Sequence, residues 1–246
     1  DVTGAAFDFG PGLRLEQGAW PHGTPAREMP PADPRRAPAW TRTHAPTPIE
    51  PDLSLSPSDL GGAKALAGTA DEDGPEARLF GTHLHLLLEN LPNWPHPDWP
   101  DITRTLLASA ETPALSAEIE TILDHATRVL QSDALQAVLP GSRAEVPITG
   151  RIAALGGRIV HGTIDRLLVT PDRVLAVDYK SNRTVPAGPA AVPEGILRQM
   201  GAYADLLGQI YPDRPVDTAI FWTSDCCLMP LPPDMVRAAL LRATIP

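Results

Sequence analysis

The feature that most constrains the fold is a pair of apolar segments separated by a turn, TIDRLLVTPDRVLAVDYKSNR, at residues 163–183. Valine, leucine and isoleucine fill both segments, which is typical of buried strands. Between them, the sequence TPDR at 170–173 has proline second and aspartate third, the composition of a type I turn. The sequence therefore predicts an antiparallel hairpin in which each strand carries an aspartate beside an apolar run.

Pairing outward from this turn brings the two aspartates together. Asp165 falls opposite Asp178, and Thr163 falls opposite Lys180. Directly opposed residues have β-carbons about 4.5–5.5 Å apart, and like charges at that distance are destabilising. A divalent cation such as Mg²⁺, which prefers carboxylate oxygens, would compensate them. Lys180 shares a strand face with Asp178 and is placed to contact a metal-bound water or a phosphate.

Two other interpretations of the hairpin stay open. A β-bulge or a wider loop would shift the register by one residue and separate the acids. Alternatively, Asp165 with Arg166 and Asp178 with Arg183 form surface ion pairs at a sheet edge, and Lys180 is solvated. The hairpin alone does not decide between a metal site and these structural roles.

Proline is unevenly distributed along the 246 residues, since 11 of the 29 prolines lie in the first 60 positions. Because apolar periodicity is weak there, residues 1–75 are predicted to form a proline-rich linker or wrapping segment. From residue 76 onward, apolar residues recur at helical or strand spacing. We therefore expect one α/β (α+β) domain over 76–246. Because the chain begins at Asp1 rather than Met, we also expect it to be part of a longer protein.

The order of elements in that domain follows from the change of apolar period along the chain. The strands of 144–180 follow one another directly, so we expect them to be antiparallel neighbours. The expected helices cover 76–90, two segments within 101–139, 193–212 and 235–243, and a last strand covers 216–224.

Composition excludes several classes of protein. A net charge of −10 and a pI near 5.1 argue against a free-standing, nonspecific nucleic-acid binder, although not against a nuclease. Cys226 and Cys227 are adjacent, which fits neither a metal knuckle nor a disulfide framework and favours a reducing compartment. No apolar run reaches the ~18 residues of a membrane span. The chain lacks a G-x-x-x-x-G-K-[ST] phosphate-binding loop, so any ATP hydrolysis must lie outside it.

Five short motifs occur in a fixed order along the domain. They are Gly81 with His85, Glu145-Val146-Pro147, Gly162 with Asp165-Arg166, Val177 through Lys180, and Gln199 with Tyr203. This order resembles the RecB-type nuclease domains of the PD-(D/E)XK superfamily. Over residues 53–240 it is more similar to the C-terminal nuclease domains of the AddA family of bacterial helicase–nucleases, in its alphaproteobacterial branch.

The resemblance implies a restriction-endonuclease-like PD-(D/E)XK core, a central mixed sheet flanked by helices. It also implies a role for each motif residue. The metal ligands would be the side chains of His85, Asp165 and Asp178 and the backbone carbonyl of Tyr179. Lys180 would act in catalysis with the two aspartates. The remaining motif residues would brace the site or contact the DNA backbone, and they are Glu145, Gln199 and Tyr203.

The activity implied by the resemblance is a Mg²⁺-dependent exonuclease, with Mn²⁺ as a possible substitute. It would hydrolyse the phosphodiesters of unwound single-stranded DNA during processing of double-strand break ends for recombinational repair. The implied partners are DNA and an AddB-like subunit in a bacterial cytoplasm, without a membrane. ATP would serve only the helicase part. An iron–sulfur cluster is not expected, because it needs four spaced cysteines.

Some alternatives remain open for the protein and for single residues. An inactive nuclease-fold module that binds DNA or a partner subunit would carry the same motifs. A zinc hydrolase is disfavoured because HLHLLLEN, residues 83–90, lacks the H-E-x-x-H spacing. His85 and Tyr203 are also compatible with core packing, and Glu145 with a cap or an arginine pair. Arg198 is compatible with either a phosphate contact or a surface charge.

Overall fold

The computed structural model describes residues 54–64 and 74–243. No helix within these ranges is both long and apolar enough to cross a bilayer. The helices are α1 (Pro75–Asn90), α2 (Trp99–Ser109), α3 (Ser116–Leu130), α4 (Asp133–Gln136), α5 (Glu194–Ile210) and α6 (Pro233–Leu241). The strands are β1 (Ser142–Ile152), β2 (Arg158–Val169), β3 (Val174–Lys180), β4 (Val216–Trp222) and β5 (Cys227–Leu231).

The five strands form one mixed sheet in the order β1-β2-β3-β4-β5. Neighbouring strands are antiparallel except β3 and β4, which are parallel and are joined through α5. A parallel pair needs such a crossover connection. The predicted mixed sheet flanked by helices is confirmed.

The strand β5 was not predicted from the sequence. Its five residues, CLMPL, show no clear alternation of apolar and polar side chains, and they include Pro230. Proline cannot donate to a strand ladder, but it is tolerated at the edge of a sheet, and β5 is the last strand in the order. The local sequence therefore does not predict β5, and it is the pairing with β4 that stabilises this strand.

Two apolar cores pack on opposite faces of the sheet. The helices α5 and α6 cover the first core, whereas α1, α2 and α3 cover the second. The central strand β3 contributes to both, with Val174 and Ala176 in the first and Val177 and Tyr179 in the second. Burial on both faces explains why β3 reads as a nearly continuous apolar run. It also means that the charged end of β3 lies between two packed layers.

Residues 54–64 pack against the domain, although they fall within the predicted linker. The backbone N–H of Leu55 donates to Ile159 O at 2.8 Å, and the N–H of His161 donates to Leu55 O at 2.9 Å. Leu60 is buried in the first core, and its carbonyl accepts from Arg198 Nη1 at 3.0 Å. Arg198 is therefore a buried structural contact. Residues 1–53 and 65–73 of the predicted linker lie outside the described residues.

Helix α1 approaches the end of β3 closely at Gly81. A β-carbon at this position would lie 2.9 Å from Ser181 Oγ, which directly follows β3. That separation is shorter than ordinary contacts, so a side chain here would force the serine to move. The glycine in the Gly81–His85 motif therefore lets α1 bring His85, one turn later, down onto the sheet.

We predict that the effect of Gly81→Ala depends on Ser181. Within a helix, alanine is favoured over glycine by about 1 kcal/mol, but in the native background the contact with Ser181 Oγ offsets this gain. In a Ser181→Ala background the gain should appear, with a coupling of at least ~0.5 kcal/mol. Urea denaturation of the four proteins in this cycle measures it. An equal effect of Gly81→Ala in both backgrounds would contradict the close contact.

Candidate metal centre

The hairpin has the predicted register as far as the ladder extends, and the predicted pairs Asp165–Asp178 and Thr163–Lys180 lie beyond its end. Its turn is closed by the Thr170 N–H, which donates to Arg173 O at 2.9 Å. Pairing runs from Val169 opposite Val174 to Arg166 opposite Val177 and ends there. At the next position the Asp165 side chain takes part, because its Oδ2 accepts the Tyr179 N–H at 2.6 Å. Asp165 is thus fixed to β3 by its carboxylate.

The alternation of β2 is interrupted at Asp165. Ile164 and Leu167 both pack in the first core, although residues an odd number apart should face opposite sides of a regular strand. Pairing between β1 and β2 also omits Asp165 and Glu145. Glu145 has a φ of +46°, in the left-handed region that costs a non-glycine residue about 1–2 kcal/mol. This local irregularity turns both acids toward α1.

His85, Glu145 and Asp165 converge from α1, β1 and β2. One possible ligand atom from each lies within 4.8 Å of the other two, and His85 Nδ1 is 3.7 Å from Asp165 Oδ2. Sequence reasoning assigned Glu145 only to a supporting role, yet Glu145 rather than Asp178 completes this cluster. The positive φ of Glu145 and the interrupted alternation of β2 depend on three-dimensional contacts, and no sequence pattern predicts them.

The ionisation of these three side chains suits a cation. Burial lowers the pKa of His85, although the charge of Asp178 acts in the opposite direction, so the imidazole keeps a lone pair for a metal. Burial, with the nearby Asp178 charge, raises the pKa of Asp165 well above its usual value. Burial and Glu89 raise the pKa of Glu145. Two carboxylates and an imidazole form a donor set that fits a divalent ion.

Asp178 lies beside this cluster and is engaged by other side chains. Its Oδ1 accepts from Gln199 Nε2 at 2.7 Å, and its Oδ2 is 2.6 Å from Lys180 Nζ. Burial lowers the pKa of Lys180, but the charge and contact of Asp178 outweigh it and raise the pKa above its usual value. Lys180 is therefore an ammonium held against a carboxylate. The roles of Asp178 and of the Tyr179 carbonyl as metal ligands remain predictions.

Gln199 and Tyr203 form a brace behind Asp178. Both side chains are buried on α5, one turn apart. The Tyr203 hydroxyl donates to Thr163 O at 2.6 Å and accepts from Gln199 Nε2 at 3.3 Å. The amide of Gln199 thus connects β2 to the carboxylate of Asp178. This geometry is that of a positioning pair rather than of an exposed contact to nucleic acid.

Packing also explains why a glycine begins the Gly162–Arg166 motif. A β-carbon on Gly162 would come within 2.6 Å of the Pro57 ring and 3.3 Å of Tyr203. The segment 54–64 therefore lies over β2 at a point that only glycine leaves free. The same contact places Pro57 next to the brace.

Arg166 is a buried cation that joins the elements of the site. Its Nη2 donates to Leu88 O at 2.8 Å, and its Nε donates to the Tyr179 hydroxyl at 3.3 Å. Its charge also acts to lower the pKa of Glu145. The arginine thereby fixes the end of α1 to β2 and β3. The alternative of a surface Asp165–Arg166 ion pair is wrong, because Arg166 is buried and directed to these acceptors.

Two clefts share His85 in their lining. The larger has a volume of about 670 Å³ and includes Glu145 and Asp165 in its lining, and the smaller, of about 190 Å³, is lined in part by Lys180 and Ser181. His83, two residues from His85, is buried, and its Nε2 donates to Thr112 O at 2.7 Å. As the sequence predicted, His83 is structural.

A mixed sheet with helices on both faces carries the acids of β1, β2 and β3 and a lysine at the end of β3, a set of groups that suits a metal-dependent hydrolase. The family model of the PD-(D/E)XK nuclease superfamily matches residues 60–235. The chain therefore belongs to the PD-(D/E)XK nuclease superfamily. Enzymes of this superfamily use divalent metals, which agrees with the candidate site formed by His85, Glu145 and Asp165.

Solved structures also match the chain. One of them, described as the crystal structure of SSO0001, is 16% identical and covers 67% of this chain and 84% of its own, with a TM-score of 0.31. No curated protein matches the chain.

We predict that Asp165→Asn stabilises the metal-free protein at neutral pH. A folded-state pKa above the unfolded one gives stability that is present below the unfolded pKa and is lost as pH rises through the folded pKa. Removing the charge should therefore raise the free energy of unfolding by about 1 kcal/mol at pH 7 in EDTA. The gain should shrink as the pH falls toward 3.8, the ordinary value for aspartate.

Urea denaturation across this pH range, with Mg²⁺ added in a second series, measures both effects. Mg²⁺ should stabilise the wild type and leave the variant nearly unchanged, because an ion that binds only the folded state stabilises it. Asp172→Asn, in the exposed turn of the same hairpin, is the control. Equal stability of wild type and Asp165→Asn at every pH would contradict the raised pKa of Asp165, which burial and the charge of Asp178 cause.

We predict that Arg166→Met lowers the free energy of unfolding by about 2–4 kcal/mol, because Leu88 O and the Glu145 carboxylate lose a buried cation. Arg104→Met is the control, since Arg104 is exposed and its one ion pair within residues 54–64 and 74–243 is a surface pair with Asp101 at 2.8 Å. That change should cost less than ~0.5 kcal/mol. Equal losses in the two variants, measured by urea denaturation, would contradict the joining role of Arg166.

Proposed function

We propose that this chain is the nuclease domain of an AddAB-type helicase–nuclease and acts as a Mg²⁺-dependent deoxyribonuclease on unwound single strands. The observation that carries the proposal is the convergence of His85, Glu145 and Asp165 next to the Asp178–Lys180 pair. The order of the five motifs along residues 81–203 supports the finer assignment to the AddA family.

In the proposed reaction, His85, Glu145 and Asp165 would hold the ion, and Asp178 on β3 would supply a further oxygen. A bound Mg²⁺, or Mn²⁺, would activate water and stabilise charge on the phosphate. The chain's own contribution is orientation. Burial on adjacent strands fixes the acids, so little reorganisation is needed when charge develops.

Lys180 contributes a positive charge to the same reaction. Because its pKa is raised, it remains protonated at neutral pH, and it is suited to donate to a phosphate oxygen or to the attacking water. Asp178 holds the ammonium 2.6 Å from Oδ2, and Gln199 orients Asp178 in turn. Lys180 would therefore act as an electrostatic group oriented through this chain of contacts.

The proposed substrate is the DNA backbone, without base specificity. No motif in the chain is of a kind that reads base edges, and contacts to phosphate carry no sequence information directly. Between His161 and Arg198 there are five Lys/Arg and four Asp/Glu residues, against a net charge of −10 for the whole chain. Neutralisation of two of these acids by an ion would leave this region positive, which favours a polyanion.

The proposed biological setting is the processing of double-strand break ends for recombinational repair in a bacterial cytoplasm. The helicase part of the longer protein, with its ATP, would deliver single strands to this domain. An AddB-like subunit would be its protein partner. These assignments rest on the motif resemblance over residues 53–240.

Cleavage of labelled single-stranded DNA by the 246-residue chain tests the activity. With Mg²⁺ the wild type should produce shortened strands, and EDTA should abolish this. Asp178→Ala and Lys180→Ala should each reduce the rate by at least about 100-fold, since each removes a charge that acts on the transition state. Asp172→Ala, in the exposed turn between the same strands, should cleave at the wild-type rate.

Equal cleavage by the wild type, Asp178→Ala and Lys180→Ala would contradict the proposed centre. DNA binding by the wild type that is indifferent to EDTA, without cleavage under any divalent ion, would instead identify the inactive nuclease-fold module as the correct alternative.

A further inference from the structure

The two clefts beside His85 differ sharply in charge. The larger cleft is lined by four acidic side chains and by no lysine or arginine among the described residues; these acids are Glu89, Glu111, Glu145 and Asp165. A DNA strand entering from this side would bring its phosphates against carboxylates. At short range in a half-buried site, that repulsion is weakly screened.

The smaller cleft has the opposite character. Two of the described residues that line it are basic, Arg78 and Lys180, and none of them is acidic. Ser181 and Asn182 complete a polar wall, and His85 is shared with the acidic cleft. A phosphate in this cleft would therefore meet cations and hydrogen-bond donors directly beside the candidate metal ligands.

We propose that the nucleic acid strand reaches the metal centre through this basic cleft, and that Arg78 binds the phosphate next to the one that is cut. This inference rests on the proposed nuclease function and adds a substrate-binding residue that belongs to none of the five motifs. It also assigns a direction of approach, from the Arg78 side of His85 rather than from the acidic side.

The position of Arg78 on α1 suits this role. It precedes His85 by seven residues, which is close to two helical turns, so their α-carbons lie on one face of the helix and about 10 Å apart along its axis. This offset places Arg78 away from the candidate metal ligands but in the lining of the same cleft as His85 and Lys180, which suits a contact with a phosphate next to the scissile one. Within residues 54–64 and 74–243, the guanidinium of Arg78 has neither an ion pair nor a hydrogen bond.

Because Arg78 is exposed, a substitution there can change substrate binding without changing the stability of the fold. Its side chain is exposed, whereas the site residues below it are buried or half-buried. Removing it therefore leaves the packing of α1 intact and changes only the charge offered to the substrate. An arginine that contacts phosphate should affect every DNA sequence equally.

The test compares wild type, Arg78→Gln and Arg78→Lys, with Arg104→Gln on α2 as a matched exposed control. Binding of a fluorescein-labelled single-stranded oligonucleotide is followed by anisotropy across a salt series, with Ca²⁺ replacing Mg²⁺. Steady-state cleavage is measured in parallel with Mg²⁺. For Arg78→Gln we expect affinity to fall roughly fivefold at ~0.1 M salt and the slope of log affinity against log salt to shrink by about 0.7.

The same variant should raise KM by a similar factor and leave kcat nearly unchanged, because the lost contact is made equally before and during the reaction. Arg78→Lys should recover most of the salt slope, and Arg104→Gln should match the wild type. Salt slopes and KM values for Arg78→Gln equal to those of the wild type would overturn the proposal.

A failure of the proposed nuclease function can be distinguished from a failure of the proposed role of Arg78. A wild type that binds the oligonucleotide but does not cut it with Mg²⁺ contradicts the nuclease activity. The comparison of salt slopes between wild type and Arg78→Gln still decides the role of Arg78 in that case. An unchanged slope overturns the role, and a slope reduced by about 0.7 supports it.

Discussion

The burial of two neighbouring carboxylates beyond the end of the hairpin ladder is the constraint on which the rest of this site depends. Asp165 and Asp178 lie on adjacent strands, and burial, together with the charge of Asp178, raises the pKa of Asp165. Without a metal, the backbone N–H of Tyr179 and the ammonium of Lys180 partly compensate them. The protein retains an arrangement that costs stability, which is the usual sign of a site built for a ligand or a reaction.

The scaffold keeps these groups together by burying the hairpin between two cores. The strand β3 packs against α5 on one face and α1 on the other, so each helix delivers one side chain to the acids. His85 comes from α1 and Gln199 from α5. Arg166 then joins the end of α1 to the sheet through Leu88 O. Because packed interiors are rigid, small changes in these contacts should alter the geometry of the centre.

The fold could be predicted from the sequence wherever local patterns agree with tertiary packing. The apolar periods of α1 and α5 and the turn at 170–173 fix the helices and the hairpin register. Three features could not be predicted, because each depends on contacts between distant segments. The strand β5 is stabilised by pairing with β4. Residues 54–64 are held by contacts with β2 and α5. The inward orientation of Glu145 depends on the interruption of the β1–β2 pairing at Asp165. For the same reason, the partners of Asp178 were not evident from spacing alone.

The most direct test of the central claim is crystallographic. Crystals grown with Mn²⁺ should show an anomalous difference peak bounded by the His85 imidazole and the carboxylates of Glu145 and Asp165, with Asp178 oriented toward it. Crystals of His85→Ala under the same conditions should lose the peak. A structure with Mn²⁺ at other positions only, or with these side chains unchanged around ordinary water, would contradict the account.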